Sequence, residues 1–128
     1  MLFRSLAAAI EGLAERAERR GVVHVGTDVQ LPAERLPSEI EVGVYRVVQE
    51  ALANATRHAS AQHVSIRLDV QDDAIRADVD DDGGGFDPNA PADGFGLIGM
   101  RERVALLRGA LEISSSAAGT RVSAAIPL

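Results

Sequence analysis

The stretch Asp81-Asp82-Gly83-Gly84-Gly85-Phe86, continued through Gly94-Phe95-Gly96-Leu97-Ile98-Gly99-Met100-Arg101, restricts this chain more than any other part of it. Half of the chain's 12 glycines fall there. Fixing glycine costs more backbone entropy than fixing any other residue, so this density points to a main chain that passes close to a ligand. The acidic pair at the front offers hydrogen-bond acceptors. The second glycine cluster runs into a helical pattern, and a helix start presents N–H groups and the positive end of a dipole, which suits phosphate. One end of the loop asks for a donor and the other for an anion. A purine nucleotide supplies both.

Charge narrows how such a ligand is held. The net charge is −6, which argues against nucleic-acid binding through a broad basic surface. All 13 basic residues are arginine. Without lysine there is no Gly-Lys-Ser/Thr, so Walker-type nucleotide binding is excluded, and a lysine-based kinase site with it. The absence of cysteine excludes a disulfide scaffold and any thiolate metal site. A length of 128 residues at 46% hydrophobic content fits one domain with a real core. No apolar run approaches the roughly 18 residues that span a bilayer, so no membrane contact is expected of this sequence.

Hydropathy orders the rest. Leu2, Leu6, Ile10, Leu13 and Ala17 recur at helical spacing over residues 2–20, with Gly21 as a stop. Val23, Val25, Thr27 and Val29 alternate as a strand. Ser38 precedes Glu41 by three, the spacing of a capping box, and the helix it opens carries the apolar stripe Ile40, Val44, Val48, Ala51 and Ala55. Arg46, Glu50, Asn54 and Arg57 share a separate polar face, beside the small residues Gly43, Ala53 and Ala55 that leave room for close approach. Val64 to Val70 and Ile75 to Val79 alternate around Gln71-Asp72-Asp73, a hairpin that delivers the chain to Asp81. A helix over 97–108, ended by Gly109, precedes a closing hairpin through Leu111, Ile113, Val122, Ala124 and Ile126. This order predicts an α+β two-layer sandwich, a mostly antiparallel sheet with its helices on one face.

Three separate stretches then read as one site. Asp81 at a strand end accepts from an exocyclic amine. Asn54 offers an amide oxygen, a hard ligand that suits Mg²⁺. Glu50, one turn earlier, is placed to orient or deprotonate a group near that metal. The turn from Gly96 to Gly99 aims a helix N-terminus at phosphates.

These residues resemble known signatures. Glu50-Ala-Leu-Ala-Asn54-Ala-Thr-Arg57-His58-Ala is similar to the N box of sensor histidine kinases. Asp81-Asp-Gly83-Gly-Gly85-Phe86 and Gly94-Phe-Gly96-Leu-Ile-Gly99-Met100-Arg101-Glu102-Arg103 resemble their two glycine boxes, and Gly119-Thr120 the late Gly-Thr element. Tyr45-Arg46 leading into Gln49-Glu50-Ala51, with the Gly-Met-Arg-Glu-Arg run, is similar to the subgroup that phosphorylates LuxR/NarL-type response regulators. The resemblance covers about residues 20–128. It implies the Bergerat ATP-binding fold shared with Hsp90, gyrase B and MutL, with about five strands under about three helices. It further implies that Asp81 contacts the adenine amine with Thr120 in support through water, that Asn54 ligates Mg²⁺ and that Glu50 assists phosphoryl transfer. Gly83, Gly85, Gly96, Leu97, Gly99 and Met100 would line the base and phosphate path, with Arg57 and His58 as phosphate contacts.

Two departures shape the expectation. Only residues 87–93 separate Phe86 from Gly94, so the lid over the nucleotide is short. None of His24, His58 and His63 sits in an acidic helical context, so the phosphoacceptor histidine is expected on a separate dimerisation domain, to which the helix of residues 1–20 connects while residues 21–128 bind ATP. The reading is of a cytoplasmic histidine kinase catalytic domain, the intact protein being open to a membrane anchor. A serine kinase of the anti-sigma-factor type and a nucleotide sensor without turnover are the alternatives. Phosphotransfer to a serine on a free partner would mark the first, and binding without turnover the second.

Overall fold

The computed structural model describes residues 5–21, 23–57, 60–87 and 96–128. Their elements follow the order α1 (Leu6–Arg20), β1 (His24–Gln30), α2 (Ser38–Arg57), β2 (His63–Gln71), β3 (Ala74–Asp81), α3 (Leu97–Leu106), β4 (Ala110–Ser116) and β5 (Gly119–Pro127). The sheet order is β1-β2-β3-β5-β4. β1 and β2 are parallel, and α2 supplies the crossover that a parallel pair requires. All other pairings are antiparallel. The expected two-layer sandwich with a mixed, mostly antiparallel sheet is thus the observed one.

Strand alternation decides which face the helices cover. Val64, Ile66, Leu68, Ile75, Ala77, Val79, Val122, Ala124 and Ile126 turn to one side and are buried. Against them pack Ile40, Val44, Val48, Ala51 and Ala55 of α2, Leu6, Ile10 and Leu13 of α1, and Met100 and Val104 of α3. Each fully buried aliphatic side chain contributes about 1.5–3 kcal/mol, so burial outweighs the weak helix propensity of the valines in α2. The opposite face carries charge, with ion pairs Arg67–Asp28 at 4.0 Å, Arg76–Asp78 at 3.7 Å and Arg121–Asp80 at 3.5 Å. The exposed pairs Arg67–Asp28 and Arg121–Asp80 contribute tenths of a kcal/mol and mainly keep this face wet, whereas Asp78 is itself buried. Among the described residues no helix is long and apolar enough to cross a membrane.

Three local expectations are corrected. The Ser38–Glu41 capping box does not form: Glu41 is buried and turns back, accepting from both Arg35 Nε (3.2 Å to each oxygen) and Leu36 N (3.4 Å). A buried carboxylate is better satisfied by a guanidinium fork than by one amide. Gly43 is small for the sake of the fold, since a Cβ there would collide with the side chain of Leu107, the residue that caps the end of α3. Helix α3 stops at Leu106, and the left-handed residue behind it is Arg108 (φ 62°) rather than Gly109, which is small because Ala125 O lies 2.6 Å from where its Cβ would be. Gly21 stops α1 as expected, in an extended conformation open to any residue, and Ser5 accepts from Ala8 N (3.0 Å) at the other end. The β2–β3 hairpin turns on Asp72 and Asp73, both left-handed, the geometry that matches strand twist.

Candidate functional site

The end row of the sheet runs Val64–Asp81–Thr120–Ser115 across β2, β3, β5 and β4. Alternation turns all four towards the helices, so three polar groups stand side by side where the apolar rows end. Asp81 Oδ1 accepts from Gly83 N at 2.9 Å. Its pKa is raised: burial disfavours the charge most, Asp82 and Asp80 add repulsion, and the backbone amides of Gly83 and Thr120 pull the other way. Thr120 is buried, and its hydroxyl lies 2.7 Å from Ser115 Oγ, which also accepts from Phe86 N at 2.8 Å. Gly85 takes φ 78° and packs so closely on Ser116 O that no side chain fits, and Gly119 lies equally close to Asp81 O.

The acidic pair divides its work. Asp82, just beyond β3, turns away and ties the loop to β2. Its Oδ1 accepts from Gln62 N and His63 N, each at 2.9 Å, and its Oδ2 pairs with His63 Nδ1 at 2.8 Å. Those donors, the His63 amide first, hold its pKa down at about 2. His63 in turn stacks on His24, with ring centroids 5.6 Å apart.

Helices build the other end. Gly96 caps α3 in the left-handed region at φ 67°, with no side chain closing the helix start. A Cβ on Gly96 would run into the Glu50 carboxylate, so the fold brings the N-box helix and the second glycine cluster into contact. Asn54 follows one turn later and is only 4% exposed, whereas Arg46 and Arg57 are exposed, with Arg46 Nη1 donating to Gln49 Oε1 at 3.1 Å. The polar face of α2 is therefore solvated at its ends and enclosed at Asn54.

Of the expected site residues, Asp81, Gly83, Gly85 and Thr120 gather at the sheet end, and Glu50 with Gly96 at the helix end. Gly83 is buried. Gly99 is helical, exposed and has nothing within 4 Å of where a Cβ would be. The side chains of Leu97 and Met100 lie in the core, which leaves their backbone for any ligand. Arg57 stays at the exposed end of α2. His58, Gly94 and lid residues 88–93 lie outside the described residues. Sequence reasoning missed Ser115. The alternation Leu111, Ile113, Ser115 was the available signal, because it sets that hydroxyl on the inner face opposite Thr120.

A family profile described as histidine kinase-, DNA gyrase B-, and HSP90-like ATPase matches residues 39–128. The chain is 40% identical over 126 residues to the signal transduction histidine-protein kinase/phosphatase UhpB of Salmonella typhimurium, covering 96% of this chain and 25% of that protein. It is 38% identical over 128 residues to the oxygen sensor histidine kinase NreB of Staphylococcus carnosus, covering 96% and 36%. The chain thus spans about a quarter to a third of the length of these relatives. Among solved structures, the blue-light activated histidine kinase EL346 of Erythrobacter litoralis superposes with a TM-score of 0.78 at 27% identity, over 97% of this chain and 42% of that one. Matched over most of its length and in fold, the chain belongs to the histidine kinase-, DNA gyrase B- and HSP90-like ATPases, as an ATP-binding catalytic domain of the sensor histidine kinase kind.

Proposed function

We propose that this domain binds Mg²⁺-ATP with the adenine at the Asp81 end and the phosphates at the α3 start, and that the intact, cytoplasmically facing kinase passes the γ-phosphate to a histidine on its dimerisation domain. From there the phosphate would move to a response regulator of the LuxR/NarL type. The observation that carries the base assignment is Asp81: a desolvated carboxylate at a strand end, one oxygen engaged by Gly83 N, is an acceptor that an exocyclic amine would satisfy. Gly99 supports the phosphate assignment. Glycine in a helix costs about 1 kcal/mol against alanine, and among the described residues nothing lies within 4 Å of where a Cβ on Gly99 would be, which leaves room for an anion.

The residues present suit a magnesium nucleotide. Asn54 supplies the hard amide oxygen and Glu50 a carboxylate a turn away on the same helix, and neither requires a metal cage built wholly of protein. Magnesium, when bound, would neutralise charge on the transferring phosphoryl group. Gly96, with its backbone against Glu50, keeps the first turn of α3 next to the N box. Glu50 then orients the incoming imidazole or takes its proton. The protein's contribution is positioning and charge compensation, not covalent chemistry. α1 marks the side from which the phosphoacceptor domain would join.

Calorimetric titration with ATP, with and without Mg²⁺, tests the assignment. Asn54→Ala is expected to abolish the gain in affinity that Mg²⁺ gives the wild type, while leaving metal-free binding in place. An undiminished Mg²⁺ effect in the variant would remove Asn54 as the ligand.

A further inference from the structure

We propose that Ser115 determines base selectivity by fixing which way the Thr120 hydroxyl donates; this rests on the nucleotide assignment above. A hydroxyl has one proton and two lone pairs. Ser115 Oγ accepts from Phe86 N at 2.8 Å, which polarises its own O–H and makes it the stronger donor of the pair. It therefore donates to Thr120 Oγ1, 2.7 Å away. Thr120, with one lone pair filled, keeps its proton for the ligand side, beside Asp81 in the same row of the sheet.

For direct contact with the base, rather than the water-mediated support that the resemblance implies for Thr120, the row then presents a fixed pattern, acceptor at Asp81 and donor at Thr120. Adenine offers the complement along one edge, an amine donor at N6 and a ring acceptor at N1. Guanine offers the reverse, an acceptor at O6 and a donor at N1. Were Thr120 to donate to Ser115 instead, Thr120 would face the ligand with a lone pair beside the Asp81 carboxylate, and that pair of groups would discriminate less. Ser115 touches neither base nor phosphate in this arrangement. It is a positioning residue, and it also anchors the exit of the glycine loop through Phe86 N.

Titration of the 128-residue chain and its Ser115→Ala variant with ATP and with GTP separates these roles. The wild type is expected to prefer ATP. Ser115→Ala is expected to lose about tenfold in ATP affinity, the size of one net hydrogen bond, with GTP affinity unchanged, so that the ATP:GTP ratio falls tenfold. Ser115→Thr, which restores the hydroxyl, should restore the ratio. Ser115→Cys keeps the volume with a weak donor, folds if alanine does not, and should fall between. Equal losses for ATP and GTP would mean that Ser115 only anchors the loop, and an unchanged ratio in both Ser115→Ala and Ser115→Cys would overturn the proposal. A wild type that binds neither nucleotide would overturn the function assignment and this inference together, whereas a wild type that binds ATP and GTP equally would overturn this inference alone.

Discussion

Asp81→Asn separates binding from folding at a single atom. One carboxylate oxygen accepts from Gly83 N, so an asparagine in its place keeps its carbonyl there and turns its NH₂ to the side that Oδ2 faced. An amine donor of the ligand then meets another donor. The loss is that of a hydrogen bond to a charged group, about 1.5–3 kcal/mol, or roughly 10–150-fold in affinity. Stability should move the other way. The folded-state pKa of Asp81 is raised, chiefly by burial, so its contribution to stability is complete below the ordinary carboxylate value and is lost as pH rises through the folded value. At neutral pH the ionised group is therefore a cost that asparagine does not carry. Calorimetry with ATP and thermal melts of the ligand-free protein at pH 7 make the pair of measurements. Affinity should collapse while the melting temperature holds or rises. Wild-type affinity in the variant would refute the base assignment, and a melt several degrees lower would show that the carboxylate serves the fold instead.

Three further outcomes concern the loop anchor Asp82 and the glycines Gly96 and Gly99. Asp82 is held at about 2 by donors around His63, a lowered value, so its stabilisation is present above the ordinary carboxylate range and is lost as pH falls through about 2. In urea unfolding between pH 6 and 2, wild type should exceed Asp82→Asn by a steady margin down to about pH 4 and converge with it below; a margin that persists at pH 2 would rule out the charge as its source. Gly96→Ala should cost about 1–2 kcal/mol from the left-handed backbone alone, and more for displacing Glu50. Gly99→Ala should instead stabilise α3 by up to about 1 kcal/mol while weakening ATP binding. If Gly99→Ala bound ATP normally, phosphate would not approach there.

The layers of this fold are legible because period and burial coincide: the α2 stripe from Ile40 to Ala55 and the inward alternation of β2, β3 and β5 each announce one buried face. The candidate site is legible where its placement depends on chain position, as at Asp81 at the end of β3 and Asn54 on α2. It is not legible where it depends on register. That Ser115 faces Thr120 follows from the short Ala117-Ala118 turn of the β4–β5 hairpin, and a slip of one residue in that pairing would turn Ser115 to the charged face while Asp81 keeps Thr120 inside. The different fates of Asp81 and Asp82 follow from β3 alternation, in which Ile75, Ala77 and Val79 put Asp81 inside. Glu41 misled because a capping spacing takes no account of Arg35, a competing partner that only tertiary packing supplies.

Gly43 also misled, and its actual role bears on the phosphate end. It was expected to make room for a ligand, yet it makes room for Leu107, at the far end of α3 from the site. Seven residues further along α2, Glu50 meets Gly96 at the opposite end of α3. The two helices thus run antiparallel, and a glycine stands at each of these two contacts. One contact alone would let α3 pivot about it. Two contacts fix the axis of α3 along α2, and with it the direction in which its first-turn amides point. The proposed base end is held by the sheet ladder through Asp81, Thr120 and Ser115 rather than by α3. On the proposed assignment, the distance between base and phosphate ends would be set by where the buried stripe of α2 sits on the sheet, and Gly43 would bear on how the phosphates are presented by seating the far end of α3.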